Sequence, residues 1–327
     1  LLSVLAQNMN NTTVIVGAGI SGLLLARGLV ARGVEVVVLE KSRGYGGRMA
    51  TKRVGEASFD SGAQYFTVRE PGFAAVVSDW QALGWVQNWP ASPHRRLVGT
   101  PAMTAVPKAL ADGLTILREH KVTAARRPTC DYWELEIENH GLLRAKRVLF
   151  ACPVPQALAV LAAGEFTLPA SVAPSLESLH YHPCLALLVS LAGPSAVPAE
   201  GLALTDGPVR WLADNVKKGL EQTAPAAVTV HASAEFSAQN YGRPEAEITE
   251  LLLPGVECWL GAPVVSTTLH RWKFSEPKTT HPERCVWLSE LGLGFAGDAF
   301  GGPKIEGAAM SALALTEAIL PHLQPAR

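Results

Sequence analysis

The sequence predicts an α/β chain in which a parallel-sheet domain is interrupted by an inserted α+β domain with an antiparallel sheet. Three observations predict it: a strand, glycine turn and helix near the start, a second glycine-rich turn with a small-residue helix near the end, and strand-like alternation between them. The chain has 327 residues, 48% of them hydrophobic and 17% charged, enough to build two buried cores.

Thr13 to Val16 is a short β-branched run, followed by "GAGISG" and the small and apolar residues Leu23 to Val30. This is G-x-G-x-x-G in a strand-turn-helix setting. Gly17 permits the tight turn, Gly19 lets backbone approach a pyrophosphate, and Gly22 lets the helix pack on the sheet. Phosphate charge then faces the helix N-terminus, where backbone amides lack partners. A second strand, "VEVVVLE", ends in Glu40, placed to accept hydrogen bonds from a ribose. An acid there favours an unphosphorylated adenosine ribose, so FAD or NAD rather than NADP at this position.

The next segment, "EKSRGYGGRMATKR", carries Gly46, Gly47 and Arg48: two glycines that allow close backbone approach and a guanidinium able to pair with pyrophosphate oxygens. It resembles the amine-oxidase-like FAD enzymes. In that family the following "FDSGAQYF", Phe59 to Phe66, runs beside the flavin ring, so the resemblance makes Gln64 and Tyr65 candidates to face it. For Tyr65 a plain buried-strand role is an equal alternative.

One strand-loop-helix unit reaches only the adenine half and pyrophosphate of a dinucleotide. The chain end, "GFAGDAFGGPKIEGAAMSA", supplies the rest: a strand stopping at Gly297 and Asp298, then a helix from near Pro303. Asp298 is placed for a ribityl or pyrophosphate-adjacent hydrogen bond. The helix amides are aimed at the flavin N1 and C2 carbonyl edge, where negative charge gathers on reduction. Pro303 suits a first helical turn, and Gly307, Ala308, Ala309, Ser311 and Ala312 keep the helix thin.

In the middle, "MTAVPKALADGLTILREHKV" reads as a helix feeding a strand, and the family analogue sets the Val122 backbone against adenine. "YWELEIEN" and "RVLFACPVPQAL" read as strands returning to the nucleotide fold, while "CLALLVSL", "AVTVHASAEF" and "VSTTLHRWKF" suggest an antiparallel roof over the flavin. The expected division is a discontinuous cofactor domain of residues 1–70, 98–160 and 287–327, with 71–97 and 161–286 forming the substrate domain.

Taken together, "EKSRGYGGRMATKR", "FDSGAQYF", "ADNVKKG", "VHASAEF", "HRWKFSEP" and the C-terminal motif resemble the renalase family, in order and over nearly the whole chain. That family lies within the monoamine oxidase and protoporphyrinogen oxidase group. The resemblance implies an FAD-binding Rossmann-like domain of the glutathione-reductase/p-hydroxybenzoate-hydroxylase type. It also implies oxidation of the 2- and 6-dihydro isomers of NAD(P)H to NAD(P)+, with O2 becoming hydrogen peroxide. The expected FAD contacts are Gly17, Gly19, Ser21, Gly22, Glu40, Lys41, Gly47, Arg48, Ala63, Gln64, Val122, Asp298 and Ile305. Trp272, His231, Asn215, His182 and Gln64 are the residues expected toward substrate. Amine or porphyrinogen oxidation on the same scaffold, and a noncatalytic FAD-binding role, are the alternatives.

The cysteine that would link flavin covalently in amine oxidases is missing near "GFAGDAF", so FAD is expected to be noncovalent. An aromatic pair to sandwich an amine is not evident, Phe300 and Trp272 being the aromatics near the motifs. Lys217, Lys218, Lys273 and Lys304 are possible cations for the oxygen reaction, each expected on the surface.

Net charge of -1 and scattered Lys and Arg argue against nucleic acid or an anionic membrane as partner. Five cysteines without a C-x-x-C pair argue against zinc or a disulfide framework and for reduced, mostly buried thiols in a cytoplasmic protein. No metal is expected. The opening "LLSVLAQNMN" lacks a basic start and cleavage site, so no signal peptide is expected; Met9 as natural start and an ordinary lead-in are the two readings.

Overall fold

The structure, a computed structural model, describes residues 12–89, 95–220 and 224–323; the opening segment with Met9 lies outside them. The chain divides into two compact units. The first comprises Leu1–Gly47, Pro107–His180 and Pro277–Arg327, the second Arg48–Val106 and Tyr181–Glu276. Both are discontinuous, but the cuts differ from the expected boundaries: 48–70 and 98–106 pack with the second unit, and 161–180 and 277–286 with the first.

The first unit is built on a six-stranded sheet in the order Val286–Leu288, Leu293–Phe295, Arg147–Phe150, Thr13–Val16, Val36–Glu40, Ile116–Arg118. All neighbours run parallel except the edge strand Val286–Leu288, which is antiparallel to Leu293–Phe295. The N- and C-terminal strands thus lie on either side of Arg147–Phe150, and this explains how the two glycine-rich ends meet. Val14, Ile15, Val38 and Leu149 are fully buried, as β-branched and apolar side chains in a sheet covered on both faces must be.

The helices that follow the two glycine turns, Ile20–Val30 and Lys304–Ile319, pack closely. A Cβ on Gly28 would come within 2.9 Å of Thr316 Oγ1, so a larger residue there would force them apart. "YWELEIEN" does not join the parallel sheet: Trp133–Ile137 forms a separate three-stranded antiparallel sheet with Val122–Arg126 and Gly141–Ala145. Strand length and apolar alternation predict a strand but not which sheet receives it.

The second unit holds a five-stranded sheet ordered Leu202–Ala203, Val209–Asp214, Ala226–Ala232, Tyr181–Leu191, Val264–Pro277. The three expected segments lie in it, although "AVTVHASAEF" turns into a helix, Ala234–Asn240, capped by Ser233 accepting from Phe236 N. Leu185, Leu187, Val189, Leu212, Val228 and Val230 form its core with the helix residues Ile248 and Leu252. Among the described residues no helix is long and apolar enough to cross a membrane. All five cysteines are unpaired, but Cys130 and Cys258 are exposed, correcting the expectation of mostly buried thiols.

Candidate active site

In the first unit the fingerprint forms as its spacing requires. Gly17 has φ +111, which an L side chain rarely adopts, and a Cβ on Gly22 would meet the Gly17 carbonyl oxygen at 2.0 Å. The C-terminal turn repeats this construction: a Cβ on Gly307 would meet the carbonyl oxygen of Gly302 at 1.7 Å. In each case a helical glycine admits the carbonyl five residues earlier. Gly297, Gly301 and Gly302 all have positive φ, and so does Lys304 at 76°, strain of about 1–3 kcal/mol of the kind that gathers at ligand sites. Pro303 caps this helix from just outside rather than standing in its first turn.

Glu40 is buried, and its carboxylate accepts from Ala18 N at 2.8 Å and Ser42 N at 2.8 Å. Two of its roughly four lone-pair sites remain for ribose hydroxyls. The backbone bond from Gly46 N to Ala18 O brings the second glycine pair beside the first loop, where Gly47 approaches Gly19. A Cβ on Gly19 would meet nothing within 4 Å, so open space lies over that loop.

Ser21 is the telling residue. Its hydroxyl is buried in the first turn of Ile20–Val30 and has no hydrogen-bond partner among the described residues. A buried hydroxyl left alone at a helix N-terminus fits a phosphate oxygen there. Ser21→Ala is therefore expected to leave thermal stability unchanged or slightly raised while weakening dinucleotide retention about three- to tenfold, read by cofactor release on dilution. Equal affinity in the variant would remove Ser21 from the site.

Lys41 is exposed, Val122 is buried at the start of its strand, and Asp298 and Ile305 are buried around the C-terminal turn. The Gly297 amide donates to Ser311 Oγ at 2.9 Å, tying that turn to its helix. Cys152 sits beside the Gly17 turn, and burial pushes its thiol up to about 12, so it stays neutral.

In the second unit the segment Asp60–Gln64 is held from several sides. The Ser61 carbonyl accepts from both Trp272 Nε1 at 2.9 Å and His231 Nε2 at 3.0 Å. A carbonyl can only accept, so Nε2 carries the proton. Burial lowers the His231 pKa to about 4, so the ring is neutral at physiological pH. Gly62 is required: a Cβ would strike the Arg48 carbonyl at 2.1 Å, and Ala63 N donates to that same oxygen. Arg48 donates to Ser275 O at 3.0 Å.

The centre of this cluster is a pair that sequence reasoning missed. Asp60 and Lys218 are fully buried and form an ion pair at 2.5 Å, correcting the surface role expected for Lys218. The ammonium also donates to Gln64 O at 3.0 Å and Gln64 Oε1 at 3.3 Å. Desolvation lowers the Lys218 pKa, and Asp60 opposes that shift. Asp60 Oδ1 further accepts from Met103 N at 3.2 Å. The Gln64 amide nitrogen donates to the carbonyls of Asp60 and Gly62.

Asn215 is fully buried with both ends of its amide engaged: Oδ1 accepts from Asp60 N at 3.0 Å, and Nδ2 donates to Ala227 O and Thr229 Oγ1. Its place is to hold the 60–64 loop, with no donor left over for a substrate carboxamide. His182 is half-buried, and its imidazole has no hydrogen-bond partner among the described residues. Lys217 donates to the carbonyls of Ser195 and Val197, while Lys273 and Lys304 are exposed. Lys52 Nζ lies 2.6 Å from His270 Nδ1, beside Trp272, and burial lowers both pKa values, that of His270 to about 4.

An NAD(P)-binding Rossmann-like domain model matches residues 15–80. The model for flavin containing amine oxidoreductases matches residues 68–320, most of the chain. The chain belongs to that family. The glycine turns, Glu40 and the Ser21 hydroxyl, which has no partner among the described residues, fit the flavin dinucleotide. It is 53% identical over 45 residues to lysine-specific histone demethylase 1 homolog 3 of Oryza sativa subsp. indica, 14% of this chain and 6% of that protein. It is 34% identical over 92 residues to protoporphyrinogen oxidase 2, chloroplastic/mitochondrial, of Arabidopsis thaliana, 27% of this chain and 18% of that one. These matches therefore span under a fifth of either relative.

Among solved structures, a protein assigned as protoporphyrinogen oxidase from Exiguobacterium sp. 255-15 superposes with TM-score 0.75 at 14% identity, covering 96% of this chain and 99% of that one. Wild-type putrescine oxidase bound to putrescine gives TM-score 0.70 at 14% identity, covering 95% and 99%. These two likenesses establish the fold alone.

Proposed function

We propose that this protein is an oxidase for the 2- and 6-dihydro isomers of NAD(P)H, passing a hydride from the dihydropyridine to noncovalently held FAD. The carrying observation is the protonation state around Ser61–Gln64: His231 is a neutral donor to a carbonyl, and the Lys218 cation is matched by Asp60. Neither His231 Nε2 nor Lys218 is free to take a proton from a substrate. A dihydropyridine asks for none, because loss of hydride makes its ring aromatic.

FAD, when bound, supplies the hydride acceptor at N5 and returns the electrons to O2. Gly17, Gly19, Ser21, Glu40, Gly47, Asp298 and Ile305 of the first unit would hold it. Trp272 and His231 fix the Ser61 carbonyl, Lys218 and Asp60 fix Gln64, and Asn215 holds the Asp60 amide. Their task is to hold and orient the substrate ring rather than to move protons. Overall, one dihydro isomer, one O2 and one proton give NAD(P)+ and H2O2.

A second reading, porphyrinogen oxidation, is favoured by the partial identity to the Arabidopsis oxidase. Oxygen uptake and peroxide release separate the two. Borohydride-treated NAD should support rapid uptake, with ordinary NADH, putrescine and protoporphyrinogen giving at most a few per cent of that rate. Turnover of protoporphyrinogen in its place would move the assignment.

A further inference from the structure

We propose that Arg96, in an aromatic box of the second unit, is the seat for an oxyanionic group of the substrate; the link to substrate, though not the anion site itself, rests on the function proposed above. The guanidinium carbon lies 4.5 Å from the Tyr65 ring centroid and 5.3 Å from that of Trp211. The two rings are 5.6 Å apart, and Trp89 closes the group at 5.9 Å from Tyr65 and 6.3 Å from Trp211. Arg96 Nη1 donates to Glu200 O at 2.9 Å and Trp89 Nε1 to Ala199 O at 2.9 Å, so both side chains are fixed. Trp211 is fixed as well, since Gly201 leaves room for its ring where a Cβ would intrude at 2.4 Å.

Two features of this box are incomplete. Arg96 is half-buried, yet among the described residues no carboxylate pairs with it, and only one of its five N–H groups is used. A partly desolvated charge with no counter-ion favours an anion from outside the chain. Separately, Trp211 is 9% exposed and its Nε1 has no hydrogen-bond partner among the described residues. An orphaned donor on the ring that stacks with an unmatched guanidinium asks for an acceptor. A phosphate or a carboxylate would satisfy both.

The same charge disfavours amines. An alkylammonium would meet the fixed guanidinium, which already occupies the aromatic faces that would otherwise hold a cation. Tyr65 follows directly on Gln64, so the box continues the loop fixed by Lys218. The phosphates of a nicotinamide nucleotide and the propionates of a porphyrinogen are the two sources of such an anion, and the nucleotide is the one proposed.

The test is calorimetric titration of the flavin-loaded protein with sodium pyrophosphate and, in parallel, sodium malonate. Saturable pyrophosphate binding is expected, weakened about tenfold or more in Arg96→Gln and about threefold to tenfold in Trp211→Phe, which keeps a ring but not the N–H. Unchanged melting of the variants shows that they fold. No saturable binding to the wild type, or equal binding to Arg96→Gln, overturns the site; tighter malonate binding overturns the nucleotide assignment. Anaerobic flavin bleaching by borohydride-treated NAD then separates the two levels of the proposal. A higher half-saturating concentration in Arg96→Gln at an unchanged limiting rate supports both. Pyrophosphate binding without bleaching in the wild type keeps the anion seat and refutes the dihydropyridine substrate.

Discussion

Lys218→Met is expected to lower the unfolding free energy by about 3–5 kcal/mol, because it leaves the Asp60 carboxylate buried without its cation. The loss falls on more than one bond: Gln64 O and Oε1 lose their shared donor in the same step. Asp60→Asn combined with Lys218→Met should be more stable than Lys218→Met alone, since a neutral amide removes the stranded charge while still serving Met103 N as acceptor. Urea denaturation of the three variants measures this. Equal stability of Lys218→Met and wild type would show that the pair is solvated and not a structural ion pair. Flavin absorbance of the folded double variant would report separately whether Gln64 needs Lys218 to stay in place.

A second large effect is expected in acid. The folded His231 pKa is about 4 against 6.5 in the unfolded chain, through burial first, so the unfolded chain takes up the proton first as pH falls. Stability from this group is therefore fully present above about pH 6.5 and lost progressively down to about pH 4, a loss of about 2–3 kcal/mol. His270 has the same direction, through burial and the neighbouring Lys52, and adds to the same limb. His231→Gln retains an amide donor for the Ser61 carbonyl but does not titrate. Urea midpoints at pH 7 and pH 4.5 should differ less in that variant than in the wild type. An identical acid loss in both would place the sensitivity elsewhere.

The nucleotide half of the fold was legible because its constraints are local. A carbonyl lying where the Gly22 or Gly307 side chain would stand excludes every other residue within one turn, so the glycine spacing carries the geometry. Glu40 was legible for a similar reason, coming at the end of a short apolar strand. Asp60 and Lys218 were not. Each lies inside a motif that the sequence singled out, "FDSGAQYF" and "ADNVKKG", but neither motif shows that its charge is buried or that the other supplies the partner. The 154 residues separating Gln64 from Lys218 leave no periodicity to read. The one available signal is the acid itself, set directly after Phe59 in an apolar strand, since a buried carboxylate needs a cation.

The aromatic box was missed for the same physical reason. Tyr65, Trp89, Arg96 and Trp211 come from separate segments, and only packing brings a guanidinium between rings. The sequence also placed Asn215 toward substrate from its motif, without sight of the three partners that occupy its amide.

The central claim is that the protein takes hydride from a misreduced nicotinamide ring without a general base. Anaerobic mixing of the flavin-loaded protein with borohydride-treated NAD, against ordinary NADH as control, tests it most directly through the oxidised-flavin absorbance. Rapid bleaching by the isomer mixture alone, at a limiting rate that stays flat between about pH 6 and 9, is the predicted result. No bleaching by the mixture, or bleaching by amines or porphyrinogens in its place, would contradict it.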